Sequence, residues 1–222
     1  MNDLTEINRE VKRLILTASY ESGACHIGSA LSCSSIIVDL YFNRMKENDI
    51  FIFGKASGVA ALYATLAVKG VFPKEKAAYY LKRYPLANSR VRGVYCSTGS
   101  LGHGICLAVG TAMAKPNVNV YCLLGNGDLS EGTFFESILF AKQHRVQNLK
   151  IIIDDNSIVA CGRVEDVLDT SYAVFLLARN IFPMEIIKTQ KGFPIDYMLA
   201  DQIGWHYKNL DETLYKCAME QI

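Results

Sequence analysis

The sequence predicts an α/β fold in three layers, with a parallel sheet carrying helices on both faces. Apolar runs at 118–124 and 151–153 are predicted strands, and a segment with helical spacing of apolar residues lies between them at 134–144. A Gly-x-Gly turn at 125–127 follows the first run. Strand, turn, crossover helix and strand form the unit from which parallel sheets are built, and helices then cover both faces of such sheets.

The rest of the chain alternates between the same two patterns. Thr5 is a candidate cap of the first helix, and Pro73 stands at an early helical position, where proline is tolerated. We find no linker, internal repeat or low-complexity tract, so one domain is predicted over residues 1–222. Short strands are predicted at 50–53 and 186–189, and helices at 5–21, 32–43, 58–69, from 72, 105–114 and 210–222.

Composition argues against several classes of function. The 222 residues are 50% hydrophobic and 20% charged, with a net charge of +1 and no basic block, which disfavours binding to nucleic acid or to a membrane surface. The polar N-terminus lacks a signal peptide's apolar core, and no apolar run approaches the ~20 residues that span a bilayer. Seven cysteines form no Cys-x-x-Cys pair and lie mostly in apolar segments, as buried, reduced thiols do in a cytoplasmic protein.

Small polar side chains end two of the predicted strands. Asn126 follows the first strand, and Asp154, Asp155 and Asn156 end the second. Open α/β sheets bind their ligands at the carboxyl ends of strands, and amide or carboxylate oxygens suit Mg²⁺ or Ca²⁺. The pattern therefore predicts a metal-bridged diphosphate site. Alternatively, 125–127 is only a tight connection, and the two aspartates are strand-end turn residues.

Seven segments, in order along the chain, resemble the N-terminal, diphosphate-binding half of transketolases. These thiamine-diphosphate enzymes move two-carbon ketol units. A single Gly-x-Gly turn is common, but the ordered set spans most of the chain and indicates homology and the thiamine diphosphate-binding fold. The segments are His-Ile-Gly-Ser-Ala-Leu-Ser at 26–32, Ala-Leu-Tyr-Ala at 61–64, the Gly-rich stretch 97–104, Gly-Asn-Gly-Asp onward at 125–132, Asp-Asp-Asn at 154–156, Lys-Thr-Gln-Lys-Gly at 188–192 and Trp-His at 205–206.

The resemblance implies a cofactor site for thiamine diphosphate and a divalent metal, Mg²⁺ or Ca²⁺. Asn126 and Asn156 match the two side-chain metal ligands, and the third ligand is a backbone carbonyl, which falls on Ile158. The implied cofactor-binding residues lie along the diphosphate, the aminopyrimidine and the thiazolium. They are Ser57, Gly99, Ser100, Leu101, Gly125, Gly127, Asp128 and Asn156.

Three histidines and one glutamate match functional positions of the family. His26 and His206 match histidines that line the substrate channel, and His103 matches a position held by His or Gln near the cofactor; all three are candidate catalytic residues. Glu131 matches a carboxylate at the dimer interface. Each has a simpler interpretation: His26 as a solvated or capping residue, His103 as a structural hydrogen-bonding group, and Glu131 as an acid favoured at a helix N-terminus.

The metal site departs from the family pattern. The family has Asp where this chain has Asn126, and an amide oxygen brings only a dipole to the ion. The cofactor's diphosphate must then supply nearly all the negative charge. The sequence predicts weaker metal-dependent cofactor binding, or reliance on Asp128 or Asp155.

The sugar-binding positions also depart from the family. Ser57 stands where a channel histidine is usual, and 87–92 replaces a Gly-His-Pro loop. Hydroxyl recognition by buried polar groups is highly discriminating, so these losses indicate either a different sugar or impaired chemistry. The segment between Asn156 and Lys188 is short, and the sheet is expected to lack a strand and a helix found in the family.

The resemblance covers only the diphosphate-binding half of the family. In the family, the glutamate that activates the aminopyrimidine lies on a pyrimidine-binding domain. We therefore expect a separate pyrimidine-domain (transketolase C-terminal-like) partner and self-association as α₂β₂. Without that partner we expect no activity. The predicted reaction transfers a two-carbon ketol unit between sugars in a specialised pathway, with His26 and His206 orienting hydroxyls and moving protons. The alternatives are a non-catalytic assembly or regulatory subunit, or another thiamine-diphosphate chemistry.

Overall fold

The computed structural model describes residues 3–222 and contains a parallel sheet; Met1 and Asn2 of the polar N-terminus lie outside the described residues. The four strands are β1 (Ile50–Phe53), β2 (Val120–Gly125), β3 (Leu149–Asp155) and β4 (Met184–Lys188), in the spatial order β1-β2-β3-β4. Every neighbouring pair is parallel. The predicted parallel sheet is confirmed.

Among the described residues the chain forms ten α-helices. They are α1 (Leu4–Ser22), α2 (Ile27–Asp39), α3 (Val59–Val68), α4 (Lys76–Arg83), α5 (His103–Ala114), α6 (Gly132–Gln143), α7 (Val164–Val167), α8 (Ser171–Asn180), α9 (Asp196–Ala200) and α10 (Glu212–Glu220). A 3₁₀ segment, Asn126–Ser130, joins β2 to α6. No described helix is long and apolar enough to cross a membrane.

The chain divides into two compact units, each built from separate stretches of sequence. Unit 1 comprises the described residues of Met1–Met45, Ser57–Gly93 and Gln190–Ile222, and unit 2 comprises Lys46–Ala56 and Val94–Thr189. The sheet and the predicted diphosphate turn belong to unit 2, whereas His26, His206 and Ser57 belong to unit 1. The prediction of one domain over 1–222 stays a prediction.

Two helix starts differ from the sequence predictions. The second helix begins at Ile27 rather than 32, and within it Ser32 Oγ donates to Ser29 O over 3.2 Å. Pro73 lies before α4, which begins at Lys76. The first helix is capped by Asp3, whose carboxylate accepts from the backbone N–H of Thr5 over 2.9 Å, so Thr5 as the cap was wrong.

The core of unit 2 forms on one face of the sheet. Alternate residues of β1, β2 and β3 point to it and pack with α5 and α6, as the two-residue repeat of a strand requires. The intervening residues of β1 and β2 are buried as well, which explains why these strands are continuous apolar runs. The core members from the strands are Ile50, Ile52, Val120, Cys122, Leu124, Leu149, Ile151 and Ile153.

Two further expectations concern the stretch after β3 and the cysteines. Residues 156–183, all of which the structure describes, contain α7, α8 and a single antiparallel bridge but no strand. All seven cysteines are free thiols, as predicted. The expectation that they are mostly buried was wrong: only Cys33 and Cys122 are buried, and Cys106, Cys161 and Cys217 are exposed.

Candidate functional site

Asn126 links the carboxyl ends of β2 and β3. Its Nδ2 donates to Asp155 Oδ1 over 2.8 Å, and its Oδ1 accepts from the backbone N–H groups of Asn156 (3.0 Å) and Ser157 (3.1 Å). The register of the sheet creates this proximity, because Gly125 at the end of β2 pairs with Asp154 of β3. The structure thus brings together the small polar residues that the sequence placed at two strand ends, and Asn126 is only 7% exposed.

Asp155 is the centre of a second set of contacts at this edge. Its Oδ2 lies 2.5 Å from Lys188 Nζ at the end of β4, and its Oδ1 accepts from Asn126 and from Ser157 N. Burial alone would raise the pKa of this carboxyl, but the hydrogen bonds from Lys188 and Asn126 outweigh it and hold the pKa below its ordinary value. Asp155 is therefore a carboxylate at neutral pH.

Asp154 takes part in a buried ion pair rather than facing a ligand. Lys55, which follows β1, places its Nζ 2.6 Å from Asp154 Oδ2, and Thr189 donates to the other oxygen. A Cβ on Gly125 would lie 3.2–3.4 Å from three atoms of the Lys55 side chain. Gly125 thus leaves room for this lysine. No role was predicted for Lys55, although a charged residue two positions after an apolar strand is a detectable signal.

Asp128 ties the diphosphate turn to the preceding Gly-rich loop. Its Oδ1 accepts from Gly102 N over 3.0 Å, and its Oδ2 accepts from Gly125 N over 2.8 Å. Burial raises the pKa of Asp128 to about 6, although the two backbone donors and Lys55 act in the opposite direction. Both oxygens bond to backbone, so Asp128 positions the loops.

The Gly-rich loop 97–104 presents an apolar side chain beside the diphosphate turn. Thr98 Oγ1 donates to Phe53 O over 2.5 Å and anchors the loop to the end of β1. Leu101 is 45% exposed, and a Cβ on Gly127 would lie 3.2 Å from Leu101 Cδ1. Gly127 therefore gives Leu101 the space to lie over the turn. Of the other predicted residues here, Ser100 is exposed and Gly99 half-buried.

Gly102 adopts a left-handed conformation that a side chain would not permit. Its φ is +75°, and a Cβ there would lie 2.8 Å from Glu131 Cβ and 2.3 Å from Thr133 Oγ1. His103 begins α5, is exposed, and donates its backbone N–H to Ser100 O over 3.3 Å. Glu131 precedes the first residue of α6 and makes no side-chain cap hydrogen bond. The catalytic role of His103 and the interface role of Glu131 stay predictions.

The predicted metal ligands do not fit a divalent ion in this arrangement. An amide oxygen has two lone pairs, and both lone pairs of Asn126 Oδ1 already accept backbone N–H groups. Asn156 Oδ1 accepts from Ile158 N over 3.1 Å, so part of its accepting capacity is used as well. Within residues 3–222 no group of three or more His, Cys, Asp or Glu side chains is arranged to hold a metal.

Unit 1 brings together the two histidines predicted to be catalytic. The rings of His26 and His206 lie 4.6 Å apart between centroids at an interplanar angle of 89°, and His26 N donates to His206 O over 3.2 Å. His26 precedes α2 with a φ of +64° and makes no side-chain cap hydrogen bond, so the structure gives no support to a capping role. Its Nδ1 lies 3.1 Å from Cys25 Sγ.

Buried Lys191 completes this histidine cluster. Its Nζ lies 3.1 Å from His206 Nδ1. Burial, followed by the positive charge of Lys191, lowers the pKa of His26, so the imidazole is neutral at physiological pH. Lys191 lies in the segment 188–192 that resembles the family, but no role was predicted for it, because nothing in the sequence shows that its side chain turns inward. Ser57, also in unit 1, is half-buried in the short 3₁₀ turn Ala56–Gly58.

Comparison with known proteins identifies the family. Residues 18–180 match the family described as transketolase, thiamine diphosphate binding domain. The chain belongs to this family. The match includes the turn at 125–127, the Asp-Asp-Asn end of β3 and the loop 97–104, although it ends before Lys191 and His206.

Two relatives are named as subunits of transketolases. The chain is 34% identical over 221 residues to a subunit of the apulose-4-phosphate transketolase of Phocaeicola vulgatus, covering 87% of this chain and 76% of the relative. It is 32% identical over 184 residues to the 6-deoxy-6-sulfo-D-fructose transketolase subunit SqwG of a Clostridium species, covering 74% of this chain and 66% of the relative. The chain therefore spans only part of each.

Solved transketolases share the fold over the whole chain. The transketolase of Campylobacter jejuni aligns with a TM-score of 0.82 and 24% identity, covering 100% of this chain and 43% of that one. The transketolase of Leishmania mexicana aligns with a TM-score of 0.78 and 18% identity, covering 100% and 46%. The predicted thiamine diphosphate-binding fold, a parallel sheet with helices, is confirmed.

Proposed function

We propose that this chain is the thiamine diphosphate-binding subunit of a split transketolase, which transfers a two-carbon ketol unit between sugars. The observation that carries the proposal is the edge of the unit 2 sheet, where Asn126 joins two strand ends beside the exposed side chain of Leu101. Family membership and the names of its relatives, which are subunits of transketolases, support it.

The residues of unit 2 fit the organic part of the cofactor. An exposed leucine over a glycine turn offers an apolar surface to an aromatic ring, and Gly99 and Ser100 lie beside it in the chain. Gly125, Gly127 and Asn156 would line the diphosphate, while Asp128 holds the two loops together. When bound, thiamine diphosphate supplies the nucleophilic carbon that cleaves the donor ketose beside its carbonyl. Ser57 keeps its proposed cofactor-binding role.

A divalent ion remains part of the proposal with one condition. For Asn126 to join Asn156 and the Ile158 carbonyl as a ligand to Mg²⁺ or Ca²⁺, its oxygen must leave two backbone donors. That exchange costs hydrogen bonds worth roughly 1 kcal/mol each. We therefore expect cofactor binding with a weak dependence on metal concentration.

In unit 1, His26 and His206 are proposed to bind sugar hydroxyls and to move protons. A neutral imidazole carries one donor and one acceptor nitrogen, which suits both tasks. His103 is proposed to act near the cofactor. The serine at position 57 and the altered loop 87–92 favour a specialised sugar over one of central metabolism.

The expected partner is a separate pyrimidine-domain subunit, with self-association to α₂β₂. Apolar side chains exposed on α5, α6 and α8 of unit 2 offer apolar area to such an interface, and large contiguous apolar patches are rare on monomers. They are Leu107, Met113, Leu139, Phe140 and Phe175. Glu131 is proposed to lie at a dimer interface. The cytoplasmic location stays a prediction from the sequence.

The test is reconstitution with the pyrimidine-domain chain. The purified complex should bind thiamine diphosphate in a calorimetric titration and transfer a ketol unit from a ketose phosphate donor to an aldehyde. His26→Asn should lower turnover at least tenfold, whereas His144→Asn, which changes an exposed histidine, should not. A complex that binds no cofactor at saturating Mg²⁺ contradicts the proposal.

The second candidate is a non-catalytic assembly or regulatory subunit. Two observations favour it: the oxygen of Asn126 is already saturated with hydrogen bonds, and Ser57 replaces a histidine. The same reconstitution separates the two functions. An assembly subunit forms the complex and leaves cofactor binding unchanged when Leu101 or Asn156 is replaced.

A further inference from the structure

We propose that Lys191 is a positioning residue that fixes His206 as the tautomer with hydrogen on Nε2. Lys191 Nζ lies 3.1 Å from His206 Nδ1. In this proposal Lys191 is an ammonium, which has three donors and no acceptor, so Nδ1 accepts and carries no hydrogen. A neutral imidazole then carries its hydrogen on Nε2. The ring nitrogen opposite the lysine is therefore a hydrogen-bond donor.

The lysine side chain is packed into the start of α2. Lys191 is 2% exposed, and a Cβ on Gly28 would lie 3.2 Å from Lys191 Cγ. Gly28 O accepts from Gly192 N over 3.1 Å, and Gln202 Nε2 donates to Lys191 O over 3.1 Å. These two hydrogen bonds hold the peptide group between Lys191 and Gly192, and the close approach of Gly28 leaves the lysine stem little freedom. The ammonium is thus held at one place rather than sampling solvent.

Other contacts also hold His206 in place. The backbone carbonyl of His206 accepts from His26 N. The rings of His26 and Tyr207 contact the His206 ring at interplanar angles of 89° and 72°. The titratable groups that face the pair of histidines include Lys191 and Tyr207, with Cys25 beside His26. A hydrogen on Nδ1 would remove the acceptor of the bond from Lys191 and turn an N–H group towards the charged lysine.

This arrangement gives His206 and His26 different roles towards a sugar. With its hydrogen on Nε2, His206 donates to a sugar oxygen and cannot act as the base at that nitrogen. Burial and Lys191 lower the pKa of His26 and so keep its ring unprotonated; His26 is then the group of the two that has a nitrogen available to accept a proton. This consequence rests on the proposed function, whereas the tautomer itself does not.

The first test measures the tautomer directly. The chain has four histidines, so long-range ¹H–¹⁵N spectra of the full chain labelled at histidine nitrogens can be assigned with single His→Asn exchanges. We expect His206 to show a non-protonated Nδ1 and a protonated Nε2 throughout the neutral range. A protonated Nδ1, or an even mixture of tautomers, overturns the proposal without any lysine variant.

Two lysine variants test the cause. Lys191→Met keeps the stem but removes the donor, and should convert His206 to a mixture of tautomers; Lys191→Arg keeps a donor and should retain the single tautomer. Lys208→Met is the matched control, because this lysine is exposed and pairs with Asp201. If His206 keeps the single tautomer in a folded Lys191→Met chain, Lys191 is not the cause of that tautomer. If the Lys191→Met chain does not fold, the spectra of the native and Lys191→Arg chains still test whether His206 carries its hydrogen on Nε2.

Activity of the reconstituted complex separates this inference from the proposed function. Lys191→Met should lower kcat at least tenfold with a smaller change in KM and alter its pH profile, and Lys191→Arg should recover part of the loss. Absence of ketol transfer in the unmodified complex rejects the proposed function but leaves the tautomer result standing. Equal kcat in the native and Lys191→Met complexes rejects a positioning role.

Discussion

Asn126 donates a hydrogen bond to Asp155 across the carboxyl ends of two strands, over 2.8 Å. The family has an aspartate at the first of these positions, and two carboxylates at this distance repel each other unless a cation lies between them. The amide removes the repulsion without a cation. The exchange of one oxygen for an NH₂ group therefore replaces a repulsive contact between two carboxylates with a hydrogen bond.

The first prediction concerns Asn126→Asp, which restores the carboxylate of the family at this position. The variant loses the hydrogen-bond donor to Asp155, so in metal-free buffer the free energy of unfolding should fall by roughly 1–3 kcal/mol. Saturating Mg²⁺ should restore much of this loss and tighten thiamine diphosphate binding. Thermal unfolding with and without Mg²⁺, and calorimetric cofactor titration, measure the two effects.

The control for this experiment is Asn209→Asp, which makes the same chemical change at an exposed position. It should show no dependence of stability on Mg²⁺. If the Asn126→Asp chain binds cofactor no more tightly than the native chain at saturating Mg²⁺, the amide is not the cause of weak metal dependence.

Much of this edge was predictable because it depends on local order along the chain. The apolar runs 118–124 and 151–153, followed closely by Asn126 and Asn156, fix two strand ends, and neighbouring parallel strands bring such ends together. The direction in which each side chain donates was not predictable. Whether Asp155 faces a ligand or Lys188 depends on β4, which is more than 25 residues away in sequence and paired only in the folded sheet.

The second prediction concerns the buried pair of Lys55 and Asp154. Lys55→Met leaves the carboxylate of Asp154 buried without its cation, which should lower the free energy of unfolding by on the order of 3–5 kcal/mol. Adding Asp154→Asn should recover part of that loss, since the uncompensated charge is then gone. Urea unfolding of the two single variants and the double variant measures the coupling.

Lys82→Met, at an exposed position of α4, is the control for loss of a lysine as such. If the losses of the Lys55 and Asp154 variants simply add, the two side chains do not interact, and the ion pair described above contributes nothing.

The third prediction concerns pH and Asp128. Its folded pKa is about 6 against an ordinary value of 3.8, so the folded chain binds this proton more tightly than the unfolded chain does. The charged group thus costs stability above pH 6, and that cost disappears as pH falls from 6 towards 4. Asp128→Asn should remove this contribution, which is at most about 3 kcal/mol. The measurement compares the free energy of unfolding of the native and variant chains at pH 7 and at pH 4.5.

Other carboxylates titrate in the same window, so the difference between native and variant chains is the relevant quantity. The carboxyl of Asp155, whose pKa is lowered, contributes with the opposite sign: its stabilisation is present at neutral pH and is lost below pH 4. A variant whose difference from the native chain is constant over this range contradicts the raised pKa of Asp128.

Elements and site residues were predictable to different degrees for a common physical reason. The apolar periodicity of 134–144 reports burial along one segment, so α6 was found to within two residues of its start. The inward turn of Lys191 and the pairing of Lys55 depend on neighbours distant in sequence. Charged residues are usually exposed, so composition alone predicts the wrong environment for both.

The fourth prediction tests Leu101 as the apolar surface for the cofactor. Leu101→Ala removes a side chain that is 45% exposed, so stability should change by less than about 1 kcal/mol. Thiamine diphosphate affinity of the reconstituted complex should fall roughly fivefold or more, because covering a leucine with a ring removes its apolar area from water. Leu86→Ala, at a comparably exposed position in unit 1, should leave the affinity unchanged. Equal cofactor affinity in the native and Leu101→Ala complexes, measured by calorimetry at fixed Mg²⁺, contradicts a cofactor contact at Leu101 and favours the assembly role, because a leucine exposed beside a glycine turn then has no ligand to cover it.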